Sequence, residues 1–268
     1  MDWITTVFAH PYMESVLHGL ERELTRYTGF SISMYVIIVL VLTPMFRSRK
    51  IRKKSPGFVQ MQAEFFRSLR TIGIFIIMDL VFFRMLGLES IWAGTELGWS
   101  YGPWLAGSVV FGLLWHDTWF YWVHRLMHHR KLYRAFHLTH HRSVDPSPFT
   151  AYSFAVPEAL MEYMFIPPMI LLVPIAPGTV SVILLIMFAK NVTGHSGFEL
   201  FPRGTLQNPV LKHLTTVTHH DMHHANGGGN FGLYFTWWDR WMGTEHKHYA
   251  KRFEAVVAPE LAAQAQNA

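Results

Sequence analysis

The chain has 268 residues, of which 50% are hydrophobic and 15% charged, with 17 histidines, no cysteine and a formal charge of +5. The lack of cysteine excludes disulfides, iron–sulfur clusters, thiolate-ligated haem and cysteine nucleophiles, so any metal must be held by His, Asp or Glu. The charge is modest and no stripe of Lys and Arg interleaved with aromatics is present, which argues against a nucleic-acid partner.

The apolar residues are blocked rather than spread, the pattern of a membrane protein. Met1-Asp2-Trp3 opens the chain without a basic stretch leading into an apolar one, so no cleavable signal peptide is expected. Residues 1–29 are mixed and slightly acidic. Residues 30–46 run almost uncharged and read as a membrane span. Arg47, Arg49, Lys50, Arg52, Lys53 and Lys54 follow with no acid among them, which the positive-inside rule assigns to the cytoplasm. A second apolar run covers 71–83, interrupted by Asp79. Residues 84–102, rich in Gly and Trp with Glu89 and Glu96, read as an outer loop. A third run, 103–123, carries His116 and Asp117 toward its cytoplasmic end, and a polar, His- and Arg-rich stretch follows to 148. The apolar segments 151–175 and 179–189, split by Pro174, Pro177 and Gly178, suggest a helical hairpin. The remainder is polar and ends in an Ala-rich tail.

The expected fold is an all-α integral membrane protein with about four or five apolar helical segments and a cytoplasmic helical cap carrying a dimetal site. It reads as a single membrane domain over 1–268. Within it, 1–123 holds the first spans, 124–150 and 190–248 form the metal-binding cap, 151–189 is the hairpin and 249–268 the tail. The membrane is expected to be a bacterial inner membrane or endoplasmic reticulum.

Six histidines fall within the 18 residues from His124 to His141. They are ordered as His124-x3-His128 and His137-x2-His140-His141, and His220-x2-His223-His224 repeats the second spacing. Residues three and four apart share a helix face, so each motif can aim two or three imidazoles at a common point. Together the three motifs offer eight imidazoles, enough for two metal ions. Imidazole suits Fe, Zn, Cu and Ni alike. A zincin HExxH is absent, because Arg125 follows His124, and no Glu-x-x-His pair sits in these segments.

The order HxxxH, HxxHH, HxxHH around paired apolar segments resembles the fatty acid hydroxylase/sterol desaturase superfamily of membrane di-iron enzymes. Asp117-x-x-Phe120-Tyr121-x-x-His124-Arg125 looks like the family's lead-in to its first motif. His220-Asp221-x-His223-His224, followed by Asn230-Phe231-Gly232 and Trp237-x-Asp239-Arg240-x-x-Gly243-Thr244, is similar to its C-terminal signature. The resemblance covers roughly 110–245. It implies a further histidine ligand, a place that His195 fills. Some members carry another His four residues earlier, where this chain has Asn191, and His219 is a substitute for that last ligand. His129, His213, His246 and His248 match no family position, His10 and His18 fall on the outer side, and His116 is ambiguous. Asp117 and Asp239 are candidates to orient ligand imidazoles through the free ring N–H.

The resemblance further implies two iron ions, which zinc can replace in a purified sample, and hydroxylation or desaturation of a lipid C–H bond by O2. The chain carries no haem or flavin fingerprint, and Gly227-Gly228-Gly229 lacks the strand–turn–helix setting of a dinucleotide loop. Electrons are therefore expected from a separate ferredoxin or cytochrome b5-type partner, and the glycine run reads as a flexible turn. The substrate is expected to come from the bilayer, with Met161, Met164, Phe165, Met169 and Met187 as candidates to line its channel. Two other classes compete. A divalent-metal transporter should hold its ligands inside the spans. A membrane zinc hydrolase should pair a carboxylate base with three ligands, but Glu158, Glu162 and Glu199 share no motif with histidine.

Overall fold

With no proline between Pro11 and Pro44 to break it, the first helix, α1 (Pro11–Ile37), runs from a mixed first half into an apolar second half and through a wide π turn at Ile38–Leu42 into Thr43–Met45. The computed structural model describes residues 11–88, 102–175 and 177–259, and the order there is helical, with two isolated β-bridges. His10, most of the outer loop expected at 84–102 and the tail beyond 259 lie outside the described residues. By length and composition, Val16–Met45 is the one described helix able to cross a membrane, and it begins well before the span expected at 30–46. The basic run that follows ends it, as Phe46 leaves helical geometry.

The next two apolar runs lie within longer helices, α2 (Phe58–Asp79, continued by a wide turn at Leu80–Met85) and α3 (Gly102–Met127). A polar stretch with two short helices, α4 (Tyr133–Phe136) and α5 (Leu138–His141), leads to a 3-10 turn at Pro148–Tyr152. The expected hairpin departs from its reading. Its first arm is two pieces, α6 (Val156–Tyr163, 8 residues) and α7 (Ile166–Leu172, 7 residues), before the single helix α8 (Pro177–Gly194). Proline in the first turn of α6 and of α7 restarts the helix each time, because proline suits that position and no interior one. At about 1.5 Å per residue neither piece approaches the ~30 Å of a hydrocarbon core. The chain closes with α9 (Val217–Asn226), α10 (Trp237–Trp241) and α11 (Tyr249–Val257).

Tyr27 of α1, Ile72 of α2 and Phe188 of α8 are fully buried around Tyr152, whose ring lies 4.6 Å from Phe188 and 6.1 Å from Tyr27. The backbone of the 148–152 turn is buried with them and finds acceptor work there: Tyr27 and Ser68 donate to the Phe149 carbonyl, and Ser31 donates to that of Pro148. The Asn191 side chain donates to the Ala151 carbonyl at 2.9 Å. On the other side of the core Gly112 of α3 abuts Ile183 of α8 so closely that a Cβ there would overlap it. This contact brings His124, near the end of α3, and His195, just past the end of α8, to one end of the molecule.

The basic run joins them. Arg52 donates through Nε to Asp221 Oδ1 at 2.6 Å and through its terminal nitrogen to the Asp221 carbonyl at 2.8 Å. The Ile51 amide donates to the Gly197 carbonyl at 3.1 Å, and Arg252 donates to the Ile51 carbonyl at 2.6 Å. The loop after α1 is thus clamped onto the two elements that carry the third histidine motif and His195. Replacing Phe188 by Ala should lower the thermal unfolding midpoint in detergent, at a cost of about 3–5 kcal/mol, because the ring fills a closed aromatic cluster.

Candidate metal centre

Two groups of histidine ring nitrogens form where these elements meet. The first joins His124, His128, His137, His141 and His223, and the second His140, His195, His220 and His224, with the ligand atoms of each group within 4.8 Å of one another. His124 occupies the last turn of α3, and His128 follows one turn later, its amide still bonded to the His124 carbonyl at 3.1 Å. His140 and His141 ride on α5, with His137 just ahead of it. Helix α9 is started by the Thr216 side chain, which accepts from the His219 amide, and stopped by Gly227 at φ +61°. That left-handed turn is open to glycine at no steric cost.

Neither HxxHH motif aims at one point. His137 and His141 enter the first group while His140 enters the second, and His220 and His224 enter the second while His223 enters the first. Residues four apart lie about 40° from each other around a helix, whereas neighbours lie about 100° apart. The pair at i and i+4 therefore stays together and the residue between them turns to the other group.

The ring protons are assigned by their acceptors. His124 Nδ1 faces the Phe231 carbonyl at 2.9 Å, His223 Nδ1 the Gly229 carbonyl at 2.8 Å and His195 Nδ1 the Asn191 carbonyl at 2.7 Å. His137 Nδ1 faces the Glu158 carboxyl at 2.6 Å. A carbonyl can only accept, so His124, His195 and His223 carry hydrogen on Nδ1 and leave Nε2 as a lone pair. Yet His124 Nε2 lies 2.9 Å from His137 Nε2, His141 Nε2 2.9 Å from His223 Nε2, and His195 Nε2 3.0 Å from His220 Nε2. Each contact thus sets at least one Nε2 lone pair against a neighbouring ring nitrogen, and a cation between the rings is a partner that both nitrogens can share. Burial reinforces this by opposing protonation: it pushes His124 down to about 3 and His195 and His141 to about 4. Burial and then the neighbouring imidazoles hold His137, His140, His220, His223 and His224 well below the usual histidine range. The nine rings are neutral at pH 7, the form that binds metal.

Asp117 and Asp239 do not touch the ring N–H of any residue in the two groups. They hold the segment that supplies the acceptors. Asp239 accepts from the amides of Phe231 at 2.9 Å and Gly232 at 2.8 Å, and Asp117 accepts from the Tyr234 amide at 2.9 Å and the Trp237 indole at 2.8 Å. Both are fully buried. The glycine run is likewise built in rather than free. A Cβ on Gly229 would overlap the Thr244 carbonyl oxygen, and Asn230, at φ +60°, donates to the His219 carbonyl while accepting from the His246 amide.

Asn191 and His219 stand in neither group among the described residues. Asn191 contributes its backbone carbonyl to His195. His219 is buried with its ring on Tyr249, 5.0 Å away; neither ring nitrogen makes a hydrogen bond, and Nε2 lies 3.7 Å from Asp239 Oδ2. Glu158 is the partner that sequence reasoning passed over. It lies 21 positions after His137 inside an apolar run, and a solitary carboxyl at such a place was the available signal. His116 is buried on α3 with Nδ1 2.9 Å from the Tyr234 hydroxyl, and His18, His129, His213 and His248 are exposed.

A small, mostly apolar cavity of about 40 Å³ lies one layer of side chains from the two groups, and none of the nine rings lines it. Its wall includes Phe120, 5.0 Å from the His124 ring, and Phe154, 5.4 Å from the His140 ring. Of the channel candidates Phe165 and Met187 line it. Met161, Met164 and Met169 do not, and Met169 is instead fully buried in the core.

Glu158→Leu should weaken metal retention about 10–100-fold in a chelator competition, whereas Glu158→Gln, which keeps an acceptor oxygen, should lose less. Gly229→Ala should release metal similarly, because the displaced carbonyl no longer meets His223. Retention at the level of the unchanged protein would show that these acceptors do not hold the rings.

The fatty acid hydroxylase family model matches residues 109–244, just over half of the chain. The chain is 28% identical over 277 aligned positions to methylsterol monooxygenase 1 of Rattus norvegicus, covering 93% of this chain and 90% of that protein. It is 26% identical over 221 positions to Delta(7)-sterol 5(6)-desaturase ERG3B of Gibberella zeae, covering 81% of this chain and 66% of that protein, just under two thirds of its length. Cholesterol 25-hydroxylase of Mus musculus is 28% identical over 257 positions, covering 90% of this chain and 80% of that protein. No solved structure matches the chain. The matched segment contains all nine clustered histidines, the Glu158 partner and both buried aspartates, and the chain belongs to the fatty acid hydroxylase family.

Proposed function

We propose that this chain is an integral-membrane, O2-dependent oxidoreductase that hydroxylates or desaturates a lipid, at a centre of two iron ions held by the two histidine groups. The observation that carries this reading is the convergence of nine buried, neutral imidazoles into two groups. Five nitrogen donors in the first group exceed the four of a closed tetrahedral zinc site. Donors 2.9–3.1 Å apart, each about 2.1 Å from one ion, subtend about 90° at it, as in five- and six-coordinate sites. The names of the relatives, a methylsterol monooxygenase, a sterol desaturase and a cholesterol hydroxylase, point to a lipid of that kind.

The iron ions, when bound, would activate O2 with two electrons supplied from outside the chain. The protein does the rest. The carbonyls of Gly229, Phe231 and Asn191 hold three rings in the tautomer that presents Nε2, and the Glu158 carboxyl holds His137 in place. Phe120 and Phe154 keep water from the inner wall and lay apolar substrate against the centre. Glu158 spends an oxygen on His137 and another on the Ala155 amide at 3.3 Å, so it is not the free base a zinc hydrolase needs. The basic run favours a cytoplasmic location for the centre, since Arg52 is bound to Asp221 of α9. An electron donor of the ferredoxin or cytochrome b5 type would dock on that side.

Metal analysis and Mössbauer spectra of detergent-purified protein test the reading. Iron near two per chain is expected, falling toward one in His223→Ala and in His220→Ala, which each deplete a different group. Stoichiometric zinc that persists after growth in iron-rich medium, with no O2 uptake when electrons are supplied, would reject it.

A further inference from the structure

The nine clustered rings are not equally enclosed. Every ring of the second group is buried, as are four of the five in the first, but His128 is partly exposed. Tyr133, partly exposed as well, has its ring 5.3 Å from that of His128 and 5.8 Å from that of His141. The first group therefore reaches the surface at one edge, and the second does not.

The chain around that edge carries unpaired positive charge. Arg130, Lys131 and Arg134 are exposed, as is Arg142 directly after His141, and none of the four makes an ion pair among the described residues. No Asp or Glu occurs between Asp117 and Asp145. The Tyr133 amide donates to the His129 carbonyl at 3.0 Å and the Phe136 amide to the Leu132 carbonyl at 2.9 Å, so this segment is wound at helical spacing. Arg130 and Arg134 are then neighbours, and like charges at that spacing repel. An anionic partner relieves the repulsion.

Three kinds of visitor are conceivable at such an edge. A port for metal cations would be lined by carboxylates, and this stretch has none. Anionic lipid headgroups are met one turn earlier, at the end of α3. There Trp122 is 44% exposed, and the Arg125 guanidinium lies 5.8 Å from its ring centre and donates to the Tyr121 hydroxyl. A tryptophan and a basic residue ending an apolar helix mark the membrane–water boundary. The four charges come after that boundary and flank the open ring, a coincidence that headgroup binding does not require. A protein that must approach the centre requires both features.

We propose that Arg130, Lys131, Arg134 and Arg142 form the docking surface for a small acidic redox protein, which thereby approaches the first histidine group at His128 and Tyr133. This rests on the reading that the centre is supplied with electrons from outside the chain. The two groups then differ in duty, because the first faces the donor and the second is closed to it. A patch of this size suits a weak electron-transfer encounter, in which charge sets approach and orientation more than final affinity.

The test is binding of two acidic redox proteins, the soluble domain of cytochrome b5 and a plant-type ferredoxin, to the full-length, metal-loaded protein in phosphatidylcholine nanodiscs. At least one should bind. Its affinity should fall about tenfold or more between about 0.01 and about 0.15 M ionic strength, as the screening length shrinks from about 30 to about 8 Å. Combined Arg130→Glu, Lys131→Glu and Arg134→Glu should weaken binding about tenfold or more at low salt, and the corresponding three Gln substitutions should weaken it less. Lys53→Glu with Lys54→Glu, which reverses two exposed charges of the basic run, should change it less than about twofold. Metal content shows which variants are folded, and the salt dependence of the unchanged protein stands without any variant.

Binding of neither probe, or equal weakening by the Lys53 and Lys54 reversal, would overturn the assignment. So would a headgroup site: a thermal midpoint raised in phosphatidylglycerol nanodiscs and lowered again by the three Glu substitutions, with probe binding unaffected. Binding needs no turnover, so the two readings fail separately. Two irons per chain without binding would remove the docking surface and leave the oxygenase, whereas persistent zinc in the metal analysis would reject the oxygenase whatever the probes do.

Discussion

Buried neutral imidazoles gathered nitrogen to nitrogen need a cation to share, and the whole end of this molecule is organised to hold nine such rings in two tight groups. The arrangement is tenable with a cation at each focus and with every ring proton kept on the far nitrogen. The second condition is the demanding one. It needs an acceptor at a set position behind a ring, as His124, His195 and His223 have, whereas Nδ1 of His140 and of His224 is buried without one. The acceptors seen here come from the end of α8, from α6 and from the segment between α9 and α10, so the centre depends on backbone far from any histidine motif.

The two buried aspartates belong to that backbone. Asp239 holds the amides on either side of the Phe231 carbonyl's peptide plane and Asp117 holds the next stretch, from Tyr234 to Trp237. A carboxylate that accepts several N–H groups in the interior satisfies both its own charge and the amides of a segment with no regular structure. The segment is therefore as firm as a helix without being one. Its glycine and Asn230 take up the positive φ and the close approach to Thr244 that other residues could not.

The same economy appears in the approach of α3 to α8. Gly112 lets the two helices touch at Ile183, which draws their ends, and with them His124 and His195, into one layer. The cavity opens beside that contact, walled by aromatic rings that also pack against the histidines. The basic run after α1, which charge alone would assign to a membrane flank, bonds to Asp221 and to the backbone near His195. It has a structural duty as well as an electrostatic one.

Histidine spacing, read with no structure, was sufficient to pick out His124, His128, His137, His140, His141, His220, His223 and His224, because helical periodicity makes neighbours of residues three and four apart. It could not say which ring joins which group. Two rings of each HxxHH motif share a group, and where the third goes depends on where the partner helices stand. The family resemblance supplied His195, which no local spacing marks. Asp117 and Asp239 were legible as important carboxylates, but not their role, since their partners are backbone amides more than a hundred residues away in one case and seven or eight in the other. Glu158 and Glu162 looked like isolated charges in an apolar run. The prolines that break 151–175 were visible, yet the apolar run was read as one arm because hydropathy averages over them.

Composition and local period, then, determined on their own that the chain is helical, apolar in blocks and equipped with imidazoles at metal-binding spacing, since these follow from interactions within a few residues. Which imidazoles share a group, which carbonyl fixes a ring proton and which ring is left open to the surface were decided by the tertiary structure. Those properties depend on distances between segments remote in the chain, and packing alone sets such distances.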